Sequence, residues 1–320
     1  MKWLSFLSWI LKNYVYYSKS SGRWDDGSTY AGYLHLFDVY CAVNYPNARD
    51  LTQEMVDSWC NKRETETNNS CRSRIYPIVT FLKYAISRNL LDVQLPVIPR
   101  KTPRTYIPHP FTREELERFF GACDNLEIRF QPELETKITK ISLPVFYRLL
   151  LSSGIRTTEA RLMKKEDVNL DNGIINVKKS KGHDQHYIVL HESMLALMRK
   201  YDNTISRLCP ERTYFFPTVN NSHQSRVWVS KFFRKIWRSC NEGRATPYQL
   251  RHFYAKENID SWTNEGMNAQ IKLTYLGKAM GHRLLESTKY YYSITPGFAD
   301  VIQNLTEDTF NDIIPDIEYE

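Results

Sequence analysis

The stretch Ala245-Thr246-Pro247-Tyr248-Gln249-Leu250-Arg251-His252, read together with Gly281-His282-Arg283-Leu284-Leu285-Glu286-Ser287-Thr288-Lys289-Tyr290-Tyr291-Tyr292, decides how the remaining chain is read. It holds an arginine able to grip a phosphate through two parallel N–H donors, a histidine able to shuttle protons and a tyrosine able to attack phosphorus. No Gly-rich nucleotide loop accompanies them.

Working outward, Thr246-Pro247-x-x-Leu250-Arg251-His252, then Gly281-His282, then Ser287-Thr288-x-x-Tyr291, resembles the tyrosine recombinases of the phage-integrase type. Upstream, Ser153-Gly154-Ile155-Arg156-Thr157-Thr158-Glu159-Ala160 is similar to that family's first arginine box, and Lys179-Ser180-Lys181-Gly182 resembles its β-hairpin lysine. All of these boxes occur in the family's order. The resemblance implies a mainly α fold with a small antiparallel β-sheet. A helical N-terminal core-binding domain and an α+β catalytic domain would form a C-shaped clamp on DNA. It also implies the catalytic set Arg156, Lys181, Tyr248, Arg251, His282 and Tyr291, with Glu159 supporting Arg156, and neither a metal nor another cofactor.

Composition agrees with a polyanionic partner. Lys and Arg total 43 against 36 Asp and Glu, yet residues 306–320 carry six of the acids and no base. Without that tail 43 bases face 30 acids, a net +13, which favours salt-sensitive binding to nucleic acid without proving it. The six cysteines have no Cys-x-x-Cys spacing, so neither a zinc site nor a disulfide framework is indicated, and a reducing cytoplasm fits. Residues 1–11 could pass for a short signal peptide, but no small-residue cleavage site follows. Trp3, Leu7, Ile10 and Tyr14 instead recur at helical spacing, and no stretch reaches the length of a membrane span.

At 320 residues two domains are the expectation. Apolar stripes at Tyr30, Leu34, Phe37 and Cys41, at Val56, Trp59 and Cys60, and at Ile75, Ile78, Phe81, Leu82 and Ile86 predict a helical domain over residues 1–94. The polar run Arg63 to Ser70 separates the last two stripes. Prolines at 96, 99, 103, 108 and 110 then exclude helix and central strand, so residues 95–111 read as an extended linker. Its Arg100, Lys101 and Arg104 suit a strap across a phosphate backbone, or are incidental charge on a solvated linker. Thr112-Arg113-Glu114-Glu115 predicts a capping box opening a catalytic domain over 112–305, followed by an acidic tail over 306–320.

Within the second domain, Leu143 to Ser152 reads as an apolar helix ended by Gly154, with Arg156 starting the next helix and Glu159 one turn on. Val168-Asn169-Leu170, Ile174 to Val177 and His186 to Leu190 predict an antiparallel meander with Lys181 at a turn, where Lys178 and Lys179 compete for the family's lysine role. His183-x-x-His186 supplies only two ligands, which is weak ground for a metal. Along Val227 to Arg238 bases and aromatics interleave at helical spacing, leaving Lys231, Arg234, Lys235 and Arg238 as a basic face for DNA or for solvent.

One position departs from the family: Tyr248 stands where a histidine or lysine usually precedes the second arginine by three residues. A phenol can donate to a phosphate oxygen but is a poor proton shuttle near neutral pH. The function so implied is site-specific DNA recombination or integration by a mobile element in the cytoplasm, at the nucleoid. The partners implied are duplex DNA with inverted repeats, four copies on paired sites, and accessory DNA-bending or directionality proteins. A type IB-like topoisomerase and a cleavage-defective DNA-binding protein are the alternatives. Phe310, Ile313, Ile314 and Ile317 give the tail an apolar stripe suited to docking on a neighbouring protomer or to shielding the basic groove.

Overall fold

Threonine caps and helically spaced apolar residues organise the first part of the chain. Helices α1 (Ser8–Ser20), α2 (Tyr30–Asn44), α3 (Gln53–Cys60) and α4 (Asn68–Ile86) bury Leu11, Leu34, Phe37, Cys41, Ile75, Phe81 and Leu82 completely. Thr52 and Thr67 accept from Met55 N–H and Ser70 N–H, which gives α3 and α4 defined starts. The polar run before α4 is less of a separator than its composition implies. Thr67 caps the helix, residues 68–70 already belong to it, and Glu66 pairs with the buried Arg74 at 2.7 Å. The computed structural model describes residues 2–24, 29–103, 108–128, 132–178, 185–262 and 269–282, and its chain divides into two units, Met1–Tyr106 and Ile107–Glu320.

The described part of the proline-rich segment has neither helix nor strand, and its beginning is fastened to the first unit. Gln94 N–H donates to Gln53 Oε1 at 2.7 Å, and Asn69 exchanges two hydrogen bonds with the backbone of Thr102 at 2.8 and 3.2 Å. Val93 and Ile98 pack on the unit's core. Residues 94–102, most of them within the segment read from sequence as an extended linker, are therefore a strap bound to α3 and α4. Arg100 and Lys101 are exposed on it, and Arg104 lies outside the described residues.

The second unit opens at α5 (Arg113–Asp124), whose capping box is formed by Thr112 and Glu115 at 3.2 and 3.0 Å. Next comes α6 (Glu133–Ser153), which begins ten residues before the expected start at Leu143 because Thr136, Ile138, Thr139 and Ser142 extend its buried face. Pro144 lies inside α6 as Pro77 lies inside α4, and neither ends its helix. After α7 (Thr157–Leu162) three strands, β1 (Val168–Asn169), β2 (Ile174–Val177) and β3 (His186–Val189), form an antiparallel sheet in the order β1-β2-β3. Gly173 takes φ +70° in the first turn, and Val177 pairs with His186 across the second. Along β3, His186 and Ile188 face inward while Tyr187 and Val189 face outward.

Helices α8 (Glu192–Leu208), α9 (Arg226–Cys240), α10 (Pro247–Ser261) and α11 (Ala269–Ala279) complete the described fold, which is mostly helical with one small sheet. Phe119, Phe146, Tyr147, Phe215, Phe216, Phe233 and Trp237 fill its core at 1% exposure or less. No described helix is long and apolar enough to cross a membrane.

Candidate active site and DNA-facing surface

The site is built on the ends of two helices. Gly154 closes α6 at φ +62°, and Gly281 follows α11 at φ +64°. At the second end Gly281 N–H donates to Lys278 O at 2.9 Å and His282 N–H to Gly277 O at 2.8 Å, the paired bonds of a Schellman motif. Glycine is required twice over at each end. A Cβ on Gly154 would run into the Tyr254 ring, and one on Gly281 would lie 2.5 Å from Cε1 of the buried His186.

Helix ends leave carbonyls without helical partners and concentrate negative partial charge, so they attract cations. Arg251, the fifth residue of α10 and only 1% exposed, reaches across both ends. Its Nη1 donates to Gly154 O, and its Nη2 donates to Met280 O at 2.7 Å and lies 2.8 Å from His282 Nε2. Arg156 takes the next carbonyl: its Nη2 donates to Gly281 O at 2.8 Å while Nη1 donates to Glu159 Oε1 at 2.6 Å. The two guanidiniums thus hold consecutive carbonyls of the turn that ends in His282.

Glu159 anchors Arg156 through the backbone as well, accepting its N–H at Oε2 over 3.0 Å, with Arg156 as the N-cap of α7. Burial opposes the charge on Glu159, but Arg156, aided by His186, outweighs it and holds the carboxyl below its ordinary range. Beside Arg251, His252 is pushed down to about 4 by burial and by the arginine's charge, so its imidazole is neutral at neutral pH. Tyr254 is shifted up by burial, with Arg251 opposing.

Arg156, Glu159, Arg251 and His282 therefore meet. Lys181 and Tyr291 lie outside the described residues, as do His183 and the tail. Tyr248 is 45% exposed at the start of α10, its ring edge-on to His252 with centroids 5.1 Å apart. It shares with Arg156 a cleft of about 340 Å³ that Arg161 and Arg226 also line.

All four bases expected on α9 are exposed. They divide by face, because Ser230, Arg234 and Arg238 line a second hollow of about 290 Å³ with Arg244, whereas Lys231 and Lys235 line neither hollow. Ser230, Thr246 and Pro247 border both hollows, so the one lined by Arg234 and Arg238 adjoins the one lined by Arg156. Sequence reasoning missed Arg226, although Arg226, Ser230, Arg234 and Arg238 recur every four residues, which on a helix is a single stripe. It also missed the carbonyls of Gly154, Met280 and Gly281. Nothing in a side-chain pattern announces a backbone acceptor; the only signal is a glycine just past a predicted helix end.

The phage integrase family is matched by residues 110–296, more than half of the chain. The chain belongs to that family, the tyrosine recombinases. Tyrosine recombinase XerA of Pyrococcus furiosus is 25% identical over 294 residues, 89% of this chain and 90% of the relative. In fold, the chain is similar to the XerH site-specific recombinase bound to its difH substrate before cleavage, with a TM-score of 0.60 at 17% identity over 82% of this chain and 75% of that one. It is equally similar to a lambda integrase tetramer bound to a Holliday junction, with a TM-score of 0.60 at 15% identity over 89% and 76%. Residues 110–296 take in Arg156, Arg251, His282 and Tyr291 together.

Proposed function

We propose that this recombinase cuts and rejoins duplex DNA at a specific site through a 3′-phosphotyrosyl link to Tyr291, without metal or nucleoside triphosphate. Four copies would exchange strands on paired sites through a four-way junction. The observation that carries this reading is the meeting of Arg156, Arg251 and His282 on one turn beside a cleft open to solvent. The DNA-bound state of the structurally similar XerH and lambda proteins supports the choice of partner.

The chemistry follows from charge. A phosphodiester repels nucleophiles and has a poor alkoxide leaving group, so a catalyst without metal must bring cations and a proton. Of the two arginines on the turn, Arg156, at the cleft, is the nearer to solvent. Arg251 acts from behind it, because a buried charge in a low-dielectric interior acts strongly on charge developing nearby. Tyr291 loses its proton as it attacks phosphorus, with His282 as acceptor, and Lys181 protonates the departing 5′ oxygen. Tyr248, at the cleft, donates a hydrogen bond to a phosphate oxygen in place of the usual base. Glu159 supports Arg156 and does not touch the substrate.

Binding is assigned to the groove formed by Arg234 and Arg238, flanked by Lys231 and Lys235, and to Arg100, Lys101 and Arg104 of the proline-rich segment. In this reading residues 1–94 are the helical DNA-binding domain and 112–305 the catalytic domain. Residues 306–320 dock on a neighbouring copy.

The test is covalent trapping on a nicked suicide duplex. Tyr291→Phe should keep full binding and form no covalent complex, while Tyr290→Phe and Tyr292→Phe should still form it. An adduct with Tyr291→Phe would remove the assigned nucleophile. Rejoining of the trapped strand to a second duplex distinguishes recombination from mere relaxation of supercoils.

A further inference from the structure

Arg161 is the anomaly in the cleft. It sits on α7 five residues after Arg156, with its Nη1 donating to Gln224 O at 3.1 Å and lying 3.2 Å from His223 Nδ1. Its Nε is buried and has no partner among the described residues. Neither Arg161 nor the exposed Arg226 forms a salt bridge among the described residues, and the cleft they share with Arg156 is lined by three arginines and no acid.

This arrangement is costly in the absence of an anion. Half-burying a guanidinium forfeits hydration, and a second arginine adds repulsion; burial and Arg226 both lower the Arg161 pKa. His223, the other titratable group in contact with Arg161, supplies no negative charge. Glu159 cannot offset the pair, because its carboxylate is committed to Arg156. The missing element is a negatively charged ligand with several acceptor oxygens, approaching from the open side of the cleft.

Spacing indicates which phosphate it is. From Thr157, next to the N-cap Arg156, to Arg161 the helix rises about 6 Å, and one DNA strand carries a phosphate about every 3.4 Å of axis. We propose that Arg161 and Arg226 form a second phosphate site, which takes a backbone phosphate one or two nucleotides from the scissile one. The proposal rests on the strand-cleavage reading only for which phosphate Arg156 faces. Its effect is to fix the register of the strand in the cleft, since two phosphates held a set distance apart leave little freedom to slide.

The experiment uses the full chain, Arg161→Gln and Arg226→Gln, and recombination-site duplexes carrying one neutral methylphosphonate at successive positions. Each variant should bind unmodified duplex about tenfold more weakly and lower the salt slope of affinity by about one. A methylphosphonate one or two nucleotides from the cleavage position should weaken the unsubstituted protein by a similar factor and leave the variants' affinity unchanged. Penalties that add at every position would overturn the site, as would penalties that track base identity and not backbone charge. Arg226 is exposed, so Arg226→Gln carries the test if Arg161→Gln fails to fold. Coupling without any covalent complex would refute strand cleavage and leave the phosphate site standing. A covalent complex with purely additive penalties would refute the site alone.

Discussion

Replacing Glu159 by glutamine removes one charge from the centre of the site and changes its shape very little. The Glu159 side chain is 1% exposed and the Arg156 side chain 15% exposed, so the pair is buried on one side and near solvent on the other. Removing one member of a buried ion pair costs about 3–5 kcal/mol. The amide oxygen can still accept from either the guanidinium or the Arg156 N–H, so the lower end, about 3 kcal/mol, is expected. For a unit of about 200 residues that is roughly 6–12 °C in Tm, read by thermal unfolding at pH 7.

The dependence on pH has a definite sign. Because the folded carboxyl titrates below its ordinary value of about 4.3, its contribution is fully present above that value and is lost as pH falls through the folded one. The gap between Glu159→Gln and the unsubstituted chain should therefore be constant above about pH 5 and narrow in more acid solution. A gap under 1 kcal/mol at pH 7, or one that does not narrow in acid, would refute the argument that charge rather than shape makes Glu159 matter.

Gly281→Ala should cost about 1–2 kcal/mol for the left-handed backbone and about 1–3 kcal/mol for the collision with His186. In the double variant with His186→Ala the second part should disappear, leaving a measurable coupling in denaturant unfolding. His252 has a folded pKa near 4 against an ordinary value of about 6.5, so the unfolded chain binds the extra proton first; His252→Phe should flatten the loss of stability between pH 6.5 and 4 seen for the unsubstituted chain. Tyr248→His should leave unfolding unchanged, since the side chain is 45% exposed, and should keep covalent trapping active.

What could be read in the sequence was whatever depends on near neighbours in the chain. The Thr112–Glu115 capping box, the Arg156–Glu159 pair three residues apart and the inward aromatic face of α9 each follow from a short helical spacing. The turn through Asp171-Asn172-Gly173 likewise fixes the pairing of Asn169 with Ile174. The start of α6 was missed because its first turns carry Glu133, Glu135, Lys137 and Lys140 around a buried face of Thr136, Ile138 and Thr139, and threonine there looks like solvent surface. The strap was missed for a related reason. Prolines report what a backbone cannot do, while Gln53 and Asn69, which hold the strap by their side-chain amides, are separated from their partners by 41 and 33 residues.

The arginine pair shows the same limit in a sharper form. The family resemblance implied that Arg156 and Arg251 act on one phosphate; in the structure they converge on the carbonyls of Gly281 and of Met280 and Gly154. Those acceptors belong to two helix ends that are far apart in sequence, so only the packing of α10 against α6 and α11 brings them together. This explains why two glycines and the Glu159 carboxylate, which do not touch the substrate, matter to the proposed reaction. A guanidinium fixed by carbonyls needs no reorganisation when charge develops beside it, and preorganised charge is where an enzyme gains most over water. Direct contact between Arg251 and a phosphate would require the Met280–His282 turn to give up its bonds. In the proposed reaction Arg156 accordingly meets the substrate, and Arg251 acts on it from behind without leaving that turn.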